Sequence, residues 1–219
     1  MKTKLLSTFI AIACFNFLLQ AKEITRIIPS LAQSGEKCFD ENTKIINLGV
    51  GFGGVRYYNI YRTSGYTYGR TPAFSLTYEQ ALKKKLGIGY LGVGAYFGYQ
   101  NEHYGYNNLY YGGSQYYYEH NWNHFMVATR AAYHFDVLNS RNAEVYVGAI
   151  VGLRFQTYSY DSNYPDANYT NQYRYNTNFA YPAYSLFAGA RWYFVRNVAL
   201  FGELGYGISY ATGGLSLKF

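Results

Sequence analysis

Residues 143–156 confine this chain to very few folds, because their character changes at every step. Ala143, Val145, Val147, Ala149, Val151, Leu153 and Phe155 fall on one side, and Glu144, Tyr146, Gly148, Ile150, Gly152, Arg154 and Gln156 on the other. A period of two is the signature of a β-strand, whose successive side chains point to opposite faces. The same rhythm recurs in eight segments, near 44–57, 70–80, 86–100, 119–136, 143–158, 178–194, 197–208 and 211–219. Beyond the N-terminus no helical period competes with it. One face carries Phe125, Val127, Thr129, Ala131, Tyr133 and Phe135, then Tyr184, Leu186, Ala188, Ala190, Trp192 and Phe194, then Val198, Leu200, Leu204, Tyr206 and Ile208.

The charges decide which face is outside. Only 14% of residues are charged, and those in mid-strand, Glu79, Arg130, Glu144, Arg154, Arg191 and Glu203, all share the face opposite the aliphatic band. A soluble barrel would put many charges of both signs on its outer surface. Aliphatic residues bounded by Tyr, Trp and Phe suit a lipid-facing belt with aromatic girdles, enclosing a small lumen in which the charges pair. The aromatic content of 21%, with 29 Tyr and 23 Gly among 219 residues, excludes disorder, a coiled coil and collagen. Long connections at 58–69, 101–118 and 159–176 alternate with short ones at 81–85, 137–142 and 195–196, as external loops alternate with periplasmic turns. The external connection at 209–210 is shorter than that rule. The sequence therefore predicts an all-β protein, an eight-stranded antiparallel up-and-down transmembrane β-barrel over residues 44–219.

Residues 1–21 read as a secretory signal peptide: Lys2 and Lys4, an apolar run from Leu5 to Leu19, then Gln20-Ala21. That run is shorter than the ~20 residues a spanning helix needs. Residues 22–43 form a polar, loosely ordered periplasmic leader. With Cys14 in the signal, Cys38 is the one thiol of the exported chain, which leaves no intramolecular disulfide. No Cys or His spacing of the zinc type occurs, and no cofactor or metal is expected.

The chain ends Gly214-Leu215-Ser216-Leu217-Lys218-Phe219. A Gly followed by alternating apolar residues and a terminal aromatic resembles the C-terminal strand signal of bacterial outer-membrane proteins. With eight segments and a signal peptide, the chain resembles the small eight-stranded outer-membrane barrels of the OmpA/OmpX type. The resemblance implies a Gram-negative outer-membrane location, contact with outer-membrane lipid, and recognition of Gly214, Leu217 and Phe219 by the barrel-assembly machinery. The Tyr- and Asn-rich loops resemble those of barrels from Bacteroidetes-type bacteria. Activity does not follow from the fold, since such barrels serve structural, adhesive, pore-like and enzymatic roles.

The six lumen charges form a polar core by pairing, or exchange partners to gate a narrow pore, although eight strands leave an interior filled by side chains. Lipid-modifying catalysis is not expected: lipid A deacylases carry a His-x-Ser pair, and His103, His120, His124 and His134 are followed two residues on by Gly105, Trp122, Met126 and Asp136. The loops carry Tyr106, Tyr110, Tyr117, Tyr164, Tyr169 and Tyr173 among Asn, Ser and Gly, a mix suited to binding a protein or glycan. Asp161, Asn163 and Asp166 lack EF-hand spacing for calcium. The net charge of +7 does not point to nucleic acid, because the basic residues are scattered; Lys83-Lys84-Lys85, read as a short turn, suits anionic headgroups at the membrane edge. The expected role is a structural or surface-interaction barrel, with an adhesin or binding module second and a narrow pore or lipid-modifying enzyme third.

Overall fold

The computed structural model describes residues 37–54, 66–111, 113–138, 140, 142–164 and 177–219. The expected signal peptide, residues 22–36 of the leader, Asp166, Tyr169 and Tyr173 lie outside them. The described strands are β1 (Lys44–Phe52), β2 (Tyr66–Arg70), β3 (Ala73–Leu86), β4 (Gly89–Tyr111), β5 (Ser114–Phe135), β6 (Ala143–Ser162), β7 (Thr177–Val195), β8 (Val198–Gly205) and β9 (Ala211–Lys218). Every pairing is antiparallel. The ring runs β1-β3-β4-β5-β6-β7-β8-β9 and closes where β1 meets β9. β2 pairs with β4 above β3 and extends the same stave, so the barrel has eight staves. The interruption falls at Thr71-Pro72, where proline has no N–H to give the ladder. Thr71 bridges the gap: its N–H donates to the Asn101 carbonyl at 3.0 Å, and its hydroxyl accepts from the Asn101 N–H at 3.0 Å.

The two faces sort as the alternation predicts. Val147, Leu186 and Leu200 are 42%, 72% and 49% exposed on the outside, while Arg130 and Arg191 are each 1% exposed within. The outer belt also has a definite upper edge. Tyr99, Phe125 and Phe155 occupy one hydrogen-bonded row on β4, β5 and β6, and two residues further along the same strands the outward positions become Asn101, Asn123 and Thr157. From Phe125 down to Phe135 at the foot of β5, ten steps at ~3.3 Å and a tilt of ~40° span ~25 Å, the height of a lipid-facing band.

Above that row β4, β5 and β6 continue as a wall. Residues 101–118 were expected as a loop; they form the upper part of the β4–β5 hairpin, and β6 likewise runs to Ser162. Tyr and Asn read as loop residues in sequence, but β-propensity favours Tyr and the long register with β5 carries the Asn. Three further expectations are corrected. Lys83-Lys84-Lys85 lies on β3, not in a turn; the turn is Gly87-Ile88, with Gly87 at φ +60. Ile208 is buried, not outward, because β8 stops at Gly205 and strand parity ends there. Residues 37–43 are not loosely ordered: Cys38 packs with Tyr193 and Ala199, and Phe39 with Ile45 and Ala81, stoppering the end of the lumen at which the chain's last strand also finishes.

This stopper has a latch. The Asp136 carboxylate, just past β5, accepts from both Lys37 and Lys85, the latter at 2.7 Å. Burial opposes its ionisation, but the two lysines outweigh it and hold the carboxyl below the ordinary range. The Cys38 thiol donates to the Ser140 carbonyl at 3.0 Å, and burial reinforced by nearby Glu144 pushes it up to about 12. Cys38 is therefore expected to resist maleimide in the folded protein. Asp136→Asn should speed its labelling by roughly five-fold, the effect of losing an ion pair worth about 1 kcal/mol. Equal labelling rates would show that the stopper holds without the latch.

Candidate functional site

The lumen charges come from five staves, β3, β5, β6, β7 and β8. Arg130 on β5 is the hub: its Nε donates to Glu79 of β3 at 3.1 Å, and its two terminal nitrogens donate to Glu203 of β8 at 3.1 and 2.6 Å. A planar guanidinium suits this bidentate contact, which a lysine could not make. The Tyr146 hydroxyl donates to Glu203 at 2.9 Å, and the Phe187 ring lies 4.0 Å from the Arg130 guanidinium. Glu144 on β6 pairs with Arg191 on β7. Arg191 also donates to Ser216 at 2.9 Å, and Ser216 in turn to Asn47 at 2.6 Å, so the network reaches across the β1–β9 seam.

His134 joins the two halves. Its Nε2 meets Glu79 and its Nδ1 meets Glu144 at 3.2 Å. Carboxylate oxygens accept, so this geometry is that of an imidazolium donating from both nitrogens. With Glu79, Glu144 and Glu203 against Arg130, Arg191 and His134, the formal charges then cancel. Neutrality is what a low-dielectric interior requires of buried charges. Phe39 of the stopper stacks on the His134 ring at 3.6 Å, which couples the plug to the network.

Of the six charges singled out in the sequence, Glu79, Arg130, Glu144, Arg191 and Glu203 are brought together. Arg154 is buried higher on β6, in register with Met126 and near the level of His124 and Glu102. Between the levels lies an apolar layer that includes Tyr96, Met126, Ile150 and Phe187. The space left there is about 30 Å³, room for about one water molecule. Sequence reasoning missed His134, Tyr146, Asn47 and Ser216 as network members. Parity was the available signal, since His134 shares the inward series of Arg130.

Above the row of Tyr99, Phe125 and Phe155 the sidedness inverts. Asn, Asp, Glu and His point outward, while the inward face gathers rings: His120 stacks on Trp122 at 5.7 Å, Trp122 lies 5.5 Å from Tyr158, and Tyr66 stacks on Tyr104 at 5.6 Å. Among the binding candidates, Tyr106 belongs to this inner cluster, 6.0 Å from Tyr118. Tyr110 is 67% exposed near the hairpin tip. Tyr117 faces out and its hydroxyl donates to Asp161 at 3.0 Å, while its N–H donates to Asn163 at 2.7 Å. Tyr164 sits edge-on to Tyr116 at 5.3 Å.

Gly214 and Leu217 lie on β9 at the seam, opposite Gly49 and Ile46. Phe219 ends the chain in reciprocal backbone bonds with Lys44, at 3.0 and 3.2 Å. Its ring is exposed, at the foot of the belt.

No protein-family model matches the sequence, and no curated protein matches it. Among solved structures, the chain is similar to the N-terminal β-barrel domain of Pseudomonas aeruginosa OprF, at 15% identity and a TM-score of 0.42, covering 83% of this chain and 100% of that one. It is also similar to Ail, the attachment invasion locus protein of Yersinia pestis, solved with the heparin analogue sucrose octasulfate. There the identity is 9% and the TM-score 0.40, covering 82% of this chain and 96% of that one.

Proposed function

We propose that this protein is an integral outer-membrane barrel with a closed, side-chain-filled lumen and a structural or surface-interaction role, not an enzyme or an open pore. The observation that supports it is the paired switch in sidedness. An aliphatic belt ~25 Å tall gives way in one row to polar outward residues, and over the next few positions the inward face passes from Arg154, His124 and Glu102 to aromatic rings such as Trp122 and Tyr158. That pattern fits a hydrocarbon layer ending at Tyr99, Phe125 and Phe155, with the β4–β5–β6 wall standing in water beyond it. The expected result is recovery only in detergent, with a heat-modifiable shift on gels; a monodisperse, detergent-free species would overturn the reading.

A binding module is the more specific form of the same reading. It is favoured by the wall, which lifts Tyr110 and Tyr117 clear of the membrane on rigid paired strands, where Tyr offers contact area at low entropic cost. Cells displaying the full protein should retain a protein or glycan ligand that a variant lacking residues 101–118 does not. Undiminished capture by that variant would leave the structural role alone. In planar bilayers no sustained conductance is expected, because the buried network and the layer above it occupy the lumen.

A further inference from the structure

We propose that the bulge of β3 at Leu82–Lys84 is a binding site for the phosphate headgroup of an anionic phospholipid, in the leaflet facing the periplasm. This rests on the membrane-barrel reading. Between Ala81, paired with Gly92, and Lys85, paired with Tyr90, β3 carries two more residues than β4. The surplus bends the strand and interrupts its ladder, and every residue from Leu82 to Leu86 is exposed. The bulge is bracketed by exposed apolar side chains, Leu82 at 41%, Leu86 at 41% and Ile88 at 59%. Lys83 and Lys84 therefore have apolar surface on which to lay their stems, and water or headgroups in which to place their ammonium ends.

The charge balance says what belongs there. Lys85 is already committed to Asp136 and lies 5.8 Å from the Tyr90 ring. Lys37 uses the same carboxylate. Four ammonium groups, Lys37, Lys83, Lys84 and Lys85, thus face one carboxylate, and the cluster keeps a charge of +3. The nearest acid along β3, Glu79, points into the lumen and is held by Arg130 and His134. Asp40 at the same end accepts from its own turn, from the Thr43 hydroxyl and the Asn42 N–H. On the adjoining stave exposed Lys44, paired in register with Gln80, offsets the exposed Glu41 of the turn before it, so the +3 of the cluster stands. A zwitterionic headgroup leaves that charge unmet, whereas an anionic one meets it without leaving the belt.

The test compares wild type, Lys83→Gln/Lys84→Gln and Lys83→Arg/Lys84→Arg in vesicles of phosphatidylcholine alone and of phosphatidylcholine with phosphatidylglycerol. Lipid retained after detergent extraction is read by native mass spectrometry. At about five-fold per lysine near an anionic surface, the Gln pair should lose roughly 25-fold in phosphatidylglycerol preference, and the Arg pair should keep it. Insertion of all three proteins with equal phosphatidylglycerol retention overturns the site while leaving the barrel reading intact. Failure of wild type to enter either vesicle overturns the barrel reading itself. Inorganic phosphate that strips the lipid more than chloride of equal ionic strength would assign the site to the free ion and overturn the lipid.

Discussion

Arg130→Ala is expected to destabilise the barrel by about 3–5 kcal/mol, because it leaves buried carboxylates without their counter-charge. Glu79 would keep His134, but Glu203 would keep only the Tyr146 hydroxyl. The Phe187 face, now stacked on the guanidinium at 4.0 Å, would line a void. Urea unfolding followed by the heat-modifiable gel shift measures the loss. A compensated variant separates charge from packing: Arg130→Met with Glu203→Gln removes one charge of each sign while filling the volume, and leaves Glu79 and Glu144 balanced by His134 and Arg191. Since replacing a buried ion pair by groups of similar volume is often neutral or better, this double variant should recover most of the loss. An Arg130→Ala midpoint equal to wild type would mean that the network contributes nothing to the fold. A double variant as weak as the single one would mean that shape, not charge, was lost.

The barrel and its sidedness were legible because a period of two and the confinement of charge to one face are properties of the chain alone. The lumen charges were legible for the same reason, down to the level at which Arg154 parts from the rest. What could not be read was anything set by where a strand stops. Ile208 continues the alternation of β8 in sequence yet turns inward, since the ladder ends at Gly205. Lys83-Lys84-Lys85 looks like a turn because lysine is rare in strands, but a bulge absorbs it. The wall of residues 101–118 was hidden by its composition: Asn and Gly signal loops, while the β4–β5 hairpin pairs these residues with one another and with their continuation, from Tyr111 and Ser114 at the tip to Asn101 and Asn123. The stopper was missed because Cys38 and Phe39 are two apolar residues in a polar stretch, and only the open end of the lumen gives them somewhere to go. His134 had the right parity but not the right neighbours until β3 and β6 were folded around it.

The ring closes through its last strand, and Gly214→Val should prevent that closure. Gly214 pairs with Gly49 across the β1–β9 seam, and a Cβ at Gly214 would stand 1.9 Å from the Leu48 carbonyl oxygen and 2.9 Å from the Gly49 Cα. Both are backbone atoms, so no side chain can rotate away and the strands themselves must part. The expected cost is at least the ~3 kcal/mol at the top of the overpacking range. It falls on the seam whose hydrogen bonds join the first strand to the last, with the Asn47–Ser216 link of the lumen network beside it. The heat-modifiable species should be lost or unfold at much lower urea, and the unpaired edges of β1 and β9 should drive aggregation. Gly202 supplies the control, being an outward position on β8 with nothing within 4 Å of an added Cβ. Gly202→Val adds apolar surface to the lipid belt and should change the midpoint by less than about 0.5 kcal/mol. If both variants fold alike, the close approach at Gly214 does not govern closure, and the seam tolerates a spacing wider than the one its glycines allow.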